Sequence, residues 1–500
     1  MKIQLFVSPG GYIAERWSKG SLAPPLGLLY IAAVLEKEGY EVSVVPTDIL
    51  KWGWGQVRRE IQDFKPDLIG VTSNTENRFQ SFKLIRLAKK ALPQALTILG
   101  GPHASMASKD CLEHISELDI VVRGEGETTM LELCRSLDKE KDRSSLESVG
   151  GISFRFDGQI KTNPPRDPIP DLDSLPFPAL HLIPFEKYNF TLEVPGHGKL
   201  PAASIISSRG CPFNCNFCAT PVNWGRNVRM RSAQNIVSEI ESLIQEYGVR
   251  VIFFFDDTFN VNPRRVEEIC DLIIERGLNI FWKCDVKIDG IDKPLLSKMK
   301  KAGLFHLSFG LEAGSERVRN EVINKKINID DFHHLIQWCH EMDIIPNPFF
   351  IFSHPTETWE EAQETIEIIE HYKNKIEASV AVLHIYPGTS LEHTAKECGL
   401  FPHNFTWAKK YHSKIITLPE AQGDVPLFQE KLTWAQISEL LFRWSQSSGK
   451  ISIFPKIPRT ILKTRSWGDI KRYSIMAYVY LRLKVRGFFK KKTFESFKNN

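Results

Sequence analysis

Long apolar runs are missing from this 500-residue sequence. None reaches the roughly 18–20 residues that carry a helix across a bilayer, so a helical membrane protein is excluded. The opening stretch, MKIQLFVSPG, has one Lys followed by a strand-like pattern. It lacks the extended apolar core and small-residue cleavage site of a secretory leader, so the cytoplasm is the expected compartment. Cysteine is scarce too. Nine unevenly spaced residues cannot form the disulfide framework of a small secreted protein. No short repeat is visible, and no nucleic-acid recognition motif accompanies the charge. What remains is ordinary for a globular chain, with 42% hydrophobic and 25% charged residues. The length suggests two to four domains.

The net charge of +4 conceals an asymmetry. Residues 451–500 carry 13 Lys/Arg against 2 Asp/Glu, whereas residues 1–450 carry 51 against 58. The basic character belongs to the tail. Within it, YSIMAYVYLRLKV reads as an amphipathic helix. Such a helix either packs on the body of the protein with its charges solvated or lies on an anionic membrane surface.

The first 140 residues alternate strand and helix signals. KIQLFVS, EVSVVPT, DLIGVTS, TILGG and DIVVRGEGE read as strands, separated by helical stretches such as PPLGLLYIAAVLEKEGY. This spacing predicts βαβ units in a doubly wound parallel sheet. Ligands of such sheets bind beyond the strand C-termini. That places Thr72, Ser73, Gly100, Gly101, His103, Gly124 and Glu125 on the binding edge. Residues 157–200 are rich in Pro with weak periodicity, as an extended linker would be. Residues 201–390 return to alternation, with six strands and five intervening helices. This fits a partial (β/α)6 TIM-like barrel with its site at the strand C-terminal ends. The expected segments are 1–145, a linker over 146–200, a barrel over 201–425, and a helical basic extension over 426–500.

The densest chemistry is Arg209-Gly-Cys-Pro-Phe-Asn-Cys-Asn-Phe-Cys218, in which Cys211, Cys215 and Cys218 follow C-x3-C-x2-C spacing. Three thiolates leave one iron of a [4Fe–4S] cubane open, whereas four-Cys sets close their own shell. A structural zinc site is the alternative, but it usually takes a second Cys or His pair, and none follows.

With Phe217 before its last Cys, this motif resembles the radical S-adenosylmethionine (SAM) superfamily signature. The resemblance implies a cluster whose open iron binds SAM and whose electron cleaves it to a 5′-deoxyadenosyl radical. It further implies that Asp256 or Asp257, ending the second barrel strand, holds the SAM amino group, although the family's Gly-Gly-Glu is absent there. Glu312, in SFGLEAGS, matches a position that contacts the ribose, and Lys287 faces the carboxylate. The bland alternative for the acidic pair is a helix N-cap or a solvated turn.

The N-terminal pattern, with ILGGPHAS and VVRGEGETT, resembles the cobalamin-binding domain that precedes many radical SAM barrels. Glycine-rich strand-end turns by themselves suit any phosphate-bearing cofactor. The D-x-H-x2-G motif that supplies a lower cobalt ligand is missing, and His103 need not replace it. Together the two resemblances span about residues 1–390. They imply a cobalamin-dependent radical SAM enzyme, foremost a C-methyltransferase acting on a small molecule, lipid or tetrapyrrole. Alternatives are a ring-forming cyclase and a non-catalytic cobalamin sensor, for which an open-iron cluster has no use. A methylthiotransferase would need a further cysteine set, and Cys111 and Cys134 are too few. The implied partners are an electron donor such as flavodoxin or ferredoxin, a small or lipid-like substrate, and no nucleic acid, with peripheral membrane contact through the tail as the remaining expectation.

Overall fold

The computed structural model describes residues 1–9, 23–139, 143–411, 424–448 and 470–483. The strands, in chain order, are β1 (Lys2–Val7), β2 (Glu41–Pro46), β3 (Leu68–Thr72), β4 (Leu96–Gly100), β5 (Ile120–Val122), β6 (Ile152–Phe156), β7 (Gln159–Thr162), β8 (Thr191–Val194), β9 (Gly198–Ile205), β10 (Ser208–Arg209), β11 (Arg229–Met230), β12 (Val251–Phe254), β13 (Phe281–Val286), β14 (Leu304–Glu312), β15 (Ile345–Phe352) and β16 (Ser379–Val382).

The first sheet runs β2-β1-β3-β4-β5-β6-β7. Strands β1 to β5 are mutually parallel, as the strand–helix alternation predicts. Their residues are buried on both faces, so they read as near-continuous apolar runs. The order reverses at β1, and the crevice beyond β1, β3 and β4 is where a doubly wound sheet takes its ligand. The second sheet runs β16-β15-β14-β13-β12-β9-β8. Six of these strands are parallel, and β8 pairs antiparallel at the edge. This is the expected partial barrel.

Local chemistry punctuates the barrel helices. Ser232 caps Ala233–Tyr247 by accepting from the Asn235 amide (3.1 Å), and Gly248 closes it in the left-handed conformation. Asn262 and Asp292 cap Pro263–Glu275 and Lys293–Lys301, each with Pro at the helix start. Thr358 and Glu361 form a capping box on Trp359–His371.

The stretch expected as a linker, 146–200, is in part sheet. β6 and β7 form a hairpin that extends the first sheet antiparallel from β5, and β8 edges the barrel. Strands of five and four residues joined by the turn at Asp157-Gly158 are too short for period-2 alternation to stand out. Among the described residues, the C-terminal region holds two helices. Trp434–Ser448 packs beside Trp359–His371, with Arg443 on Glu370 (2.6 Å) and Trp444 Nε1 donating to the Ala378 carbonyl (2.9 Å). A helix over residues 470–483 rests on it through Tyr480 and Phe442, ring centres 4.9 Å apart, with Val479 buried. The YSIMAYVYLRLKV stretch therefore packs on the body up to residue 483, and the rest of the basic tail lies outside the described residues. Among the described residues, no helix is long and apolar enough to cross a membrane.

Candidate functional site

Gly210 turns the chain out of β10 at φ 96°. A Cβ there would meet the Asn227 carbonyl oxygen at 2.6 Å, so only glycine fits. The loop that follows carries the three cysteines, all half-buried. It is pinned across the barrel, since the Asn216 amide donates to the Ile323 carbonyl (3.2 Å) and its side chain to the Val322 carbonyl (2.7 Å). Burial pushes the Cys215 thiol up to about 11, opposed by Lys325 and reinforced by Cys218, Glu312 and Cys211. Burial likewise raises Cys218, so both must lose protons to bind metal. Among the described residues, no three His, Cys, Asp or Glu side chains are grouped to hold a single metal ion. A zinc ion draws its sulfurs to about 2.3 Å from one centre. A cubane gives each thiolate its own iron and so takes a wider set. The donor set fits the cluster.

The acidic pair divides its labour. Asp256 is buried and saturated. It accepts from the Ser207 amide (2.7 Å) and from the hydroxyls of Ser207 (2.5 Å) and Ser208 (2.6 Å), with Arg265 3.7 Å away. It therefore ties the end of β12 to the strand leading into the cysteine loop. Asp257 is exposed and, among the described residues, accepts only from Thr220 Oγ1 (2.8 Å). Crowding by the surrounding protein raises its carboxyl above the ordinary range, with Asp256 adding to the effect. Asp257 is the one with a free oxygen for an ammonium. Lys287 follows β13 and is clamped by Asn260, whose side chain bonds both its amide and its carbonyl (2.9 Å each). Its ammonium pairs with Asp289 and lies 4.6 Å over the Phe213 ring of the cysteine loop.

Glu312 ends β14 at φ 70°, past a break in register with β15. It is buried and accepts from Lys325 Nζ at 2.6 Å. Burial would lower Lys325, but Glu312, together with Cys215, holds it above its ordinary value. A Cβ at Gly310 would strike both Glu312 and Lys325. A π-helical stretch, Arg317–Val322, separates the two partners, and Arg319 holds it by donating to the carbonyls of Ala313 (3.0 Å), Gly314 (2.7 Å) and Ile327 (3.0 Å). Phe217 packs against Ala313, Val318 and Ile323 and lies 6.1 Å from the His354 ring.

On the first sheet, Thr72, Ser73, Gly100, Gly101, His103 and Gly124 come together. The Ser73 amide donates to Gly100 (2.8 Å) and the His103 amide to Ser73 (3.0 Å). Ser105 Oγ links Gly101 and Gly124, donating to the first and accepting from the second at 3.0 Å each. Gly101, at φ 90°, would drive a Cβ to 2.7 Å from the Ser73 carbonyl. Gly100 and Gly124 have nothing within 4 Å of where a Cβ would stand, a bare backbone edge of the kind a broad, flat group such as a corrin needs. His103 is fully buried between Phe82 and Trp407, its Nδ1 3.2 Å from Thr75 Oγ1 and its Nε2 without a partner among the described residues. Burial pushes its imidazole well below the ordinary value. Glu125 departs from the group. Its carboxylate takes Arg229 (2.6 Å), Arg209 (3.3 Å) and the Ile169 amide (2.6 Å), so it joins the two units instead of facing the shelf. Arg209 also pairs with Glu127 (2.6 Å).

The two edges adjoin. The helix Pro102–Met106 beyond β4 contacts the helix Thr220–Trp224 that follows Cys218. Gly388, after β16, sits in the corner, with Val222 3.1 Å and Met106 3.6 Å from where its Cβ would stand. Sequence reasoning missed Lys325, Ser105, Thr220, Arg209 and Trp407. Of these, Arg209 was the most findable, lying two residues before Cys211.

Two family models match the chain: "Radical SAM superfamily" over residues 205–369 and "B12 binding domain" over residues 18–134. An uncharacterized methyltransferase of Pyrococcus horikoshii is 30% identical over 394 residues, spanning 78% of this chain and 82% of the relative. The anaerobic magnesium-protoporphyrin IX monomethyl ester cyclase of Rubrivivax gelatinosus is 30% identical over 376 residues, spanning 73% of this chain and 65% of the relative. Among solved structures, the radical S-adenosylmethionine methyltransferase TsrM of Kitasatospora setae superposes with a TM-score of 0.70 at 17% identity, covering 95% of this chain and 99% of that one. The chain belongs to the radical SAM superfamily, among the members that carry a B12-binding domain ahead of the barrel.

Proposed function

We propose that the protein is a cobalamin-dependent radical SAM C-methyltransferase. The observation that carries this reading is the shared wall between the two edges, where Met106, Val222 and Gly388 meet. It would let a methyl carrier on the first sheet and a radical source in the barrel reach one substrate. When bound, the cluster supplies an electron, SAM a radical and a methyl group, and cobalamin a methyl carrier. Cys211, Cys215 and Cys218 would hold the cluster, and Phe217 would lie against the adenosyl group. Asp257 would take the SAM ammonium and Lys287 its carboxylate. Glu312, held by Lys325, would accept from the ribose hydroxyls. Asp256 would keep β12 and the cysteine loop in register. Thr72, Ser73, Gly100, Gly101, Gly124 and Ser105 would shape the cobalamin shelf, with buried His103 inside its wall. Glu125 and Arg209 would hold the two units together. The substrate is a small molecule, and a flavodoxin or ferredoxin would supply the electron.

The likeness of the P. horikoshii methyltransferase and of TsrM supports methyl transfer. The likeness of the R. gelatinosus cyclase favours ring formation as a second reading. Anaerobic reconstitution with iron, sulfide and hydroxocobalamin, then reductant, deuterated-methyl SAM and cell extract, separates them. Methyl transfer places the label in a product. Formation of 5′-deoxyadenosine with an extract-dependent product that carries no label would turn the assignment to cyclisation.

A further inference from the structure

Inside the barrel, one side chain in two along each strand points into the lumen, and several of these are apolar, such as Phe253, Phe349, Ile351 and Ala381. On β13 they are Lys283 and Asp285, both half-buried. Asp285 stands in register with Ser308, and Ser308 with Asn347. A hydrogen-bond chain crosses these strands. Ser379 Oγ donates to Asn347 Oδ1 (2.9 Å) and Asn347 Nδ2 donates to Ser308 Oγ (3.3 Å), which leaves the Ser308 hydroxyl proton free to turn toward Asp285, its neighbour in register. Both donors point the same way, so Asp285 stands at the end of the row. Burial pushes its carboxyl up to about 6, with Lys283 and Ser308 opposing and Asp256 and Asp257 adding. Lys283 lies 4.4 Å over the Phe253 ring and has no hydrogen-bond acceptor among the described residues. Burial lowers it, against the fields of Asp285 and Glu377.

An acid and a base on a half-buried wall, not paired with each other, are costly to keep without a ligand. None of the SAM and cobalamin contacts above uses them. We propose that Asp285 and Lys283 are the substrate-recognition residues, and that the part of the substrate entering the lumen is polar and anionic, with a hydroxyl or ammonium donating to Asp285 and a phosphate, phosphonate or carboxylate accepting from Lys283. Residues two apart on a strand are separated by roughly 6.6 Å, which sets the span between the two groups. Asp285 is nearer the strand C-termini, so the donor end faces the candidate SAM site and the anion lies deeper. A hydrocarbon in the same place would bury both groups with nothing beyond the Phe253 ring and the Ser308 hydroxyl to offset their desolvation. The inference rests on the barrel being the substrate chamber of the proposed methyltransferase.

The test uses reconstituted holoenzyme and isothermal titration with three probes: sn-glycerol 3-phosphate, glycerol and geraniol. Glycerol 3-phosphate is expected to bind most tightly. Lys283→Met should weaken it at least about tenfold and leave glycerol unaffected, while Asp285→Asn should weaken both. Iron content and far-UV circular dichroism report folding. If either variant fails to fold, the ranking of the three probes on the unsubstituted enzyme decides. Tighter binding of geraniol, no binding of glycerol 3-phosphate, or binding indifferent to both substitutions overturns the assignment. If the binding pattern holds while no deuterated methyl reaches any product, the methyltransferase reading fails and the recognition pair stands.

Discussion

The edge of the first sheet and the edge of the barrel are built from opposite materials. The first is backbone, glycine and hydroxyl: Gly100, Gly101, Gly124, Ser73 and Ser105, with one buried neutral histidine. The second is charge: Asp257, Lys287, the Glu312–Lys325 pair and three ionisable thiols. A large, flat group can be held by shape and by a shelf kept free of side chains, and the energy comes from excluded water and backbone contacts. A small zwitterion beside a metal cluster needs point charges at fixed places, which must then be propped by counter-charges. The difference predicts that the barrel edge breaks by losing a charge and the sheet edge by gaining a methyl group.

The largest effect is expected at the thiols. Replacing Cys211, Cys215 and Cys218 with Ala should abolish iron binding and 5′-deoxyadenosine formation, read by iron content and product chromatography, while leaving hydroxocobalamin binding intact. Lys325→Met strands buried Glu312 without its partner and should cost about 3–5 kcal/mol in denaturant unfolding. An unchanged midpoint would show that the pair is not the prop described. Gly101→Val, forced into φ 90° against the Ser73 backbone, should cost about 2–3 kcal/mol and lose hydroxocobalamin while iron content holds. The acidic pair offers a narrower contrast. Asp256→Asn should lower stability by about 2 kcal/mol, whereas Asp257→Asn should change it by less than about 0.5 kcal/mol and raise the KM for SAM. Reversed results would exchange their roles.

A different kind of test is a pH dependence beyond the end of β15. Glu357 accepts from the amides of Ser353 (2.6 Å) and His354 (2.9 Å). Burial still pushes it up from 4.5 to about 7, with Glu361 adding and Arg317 opposing. The native state thus binds this proton more tightly than the unfolded chain does. The stability it contributes is complete below 4.5 and is lost as pH rises through 7. Unfolding midpoints between pH 5 and 8 should fall with pH, and Glu357→Gln should flatten that slope.

Strand–helix alternation made the parallel strands of both sheets legible, because most of them are short apolar runs followed by an amphipathic helix, whereas the antiparallel β6, β7 and β8 were not. The cysteine loop was legible from spacing alone. What could not be read were partners chosen by long-range geometry. Lys325 reaches back 13 residues to Glu312 around a π-helical stretch, which no helical period foretells. Glu125 sat in a strand-end turn that looked like ligand-binding edge, and an arginine 104 residues away takes its carboxylate. Asp256 and Asp257 are adjacent and chemically identical in sequence. Only the hydroxyls of Ser207 and Ser208 separate a brace from a free ligand.

Arg78 opens the helix after β3, and its guanidinium donates to the carbonyls of Thr75 (2.5 Å), Trp407 (3.0 Å) and Asp424 (3.0 Å). Trp407 packs into the core of the first sheet, 329 residues downstream in sequence. The N-terminal unit is therefore not a cassette that can be cut out and spliced onto another barrel. A graft ending before residue 400 would leave a buried guanidinium facing water where two carbonyls stood and would open one wall of its core. A working exchange of this unit would have to carry along the segment that roofs it.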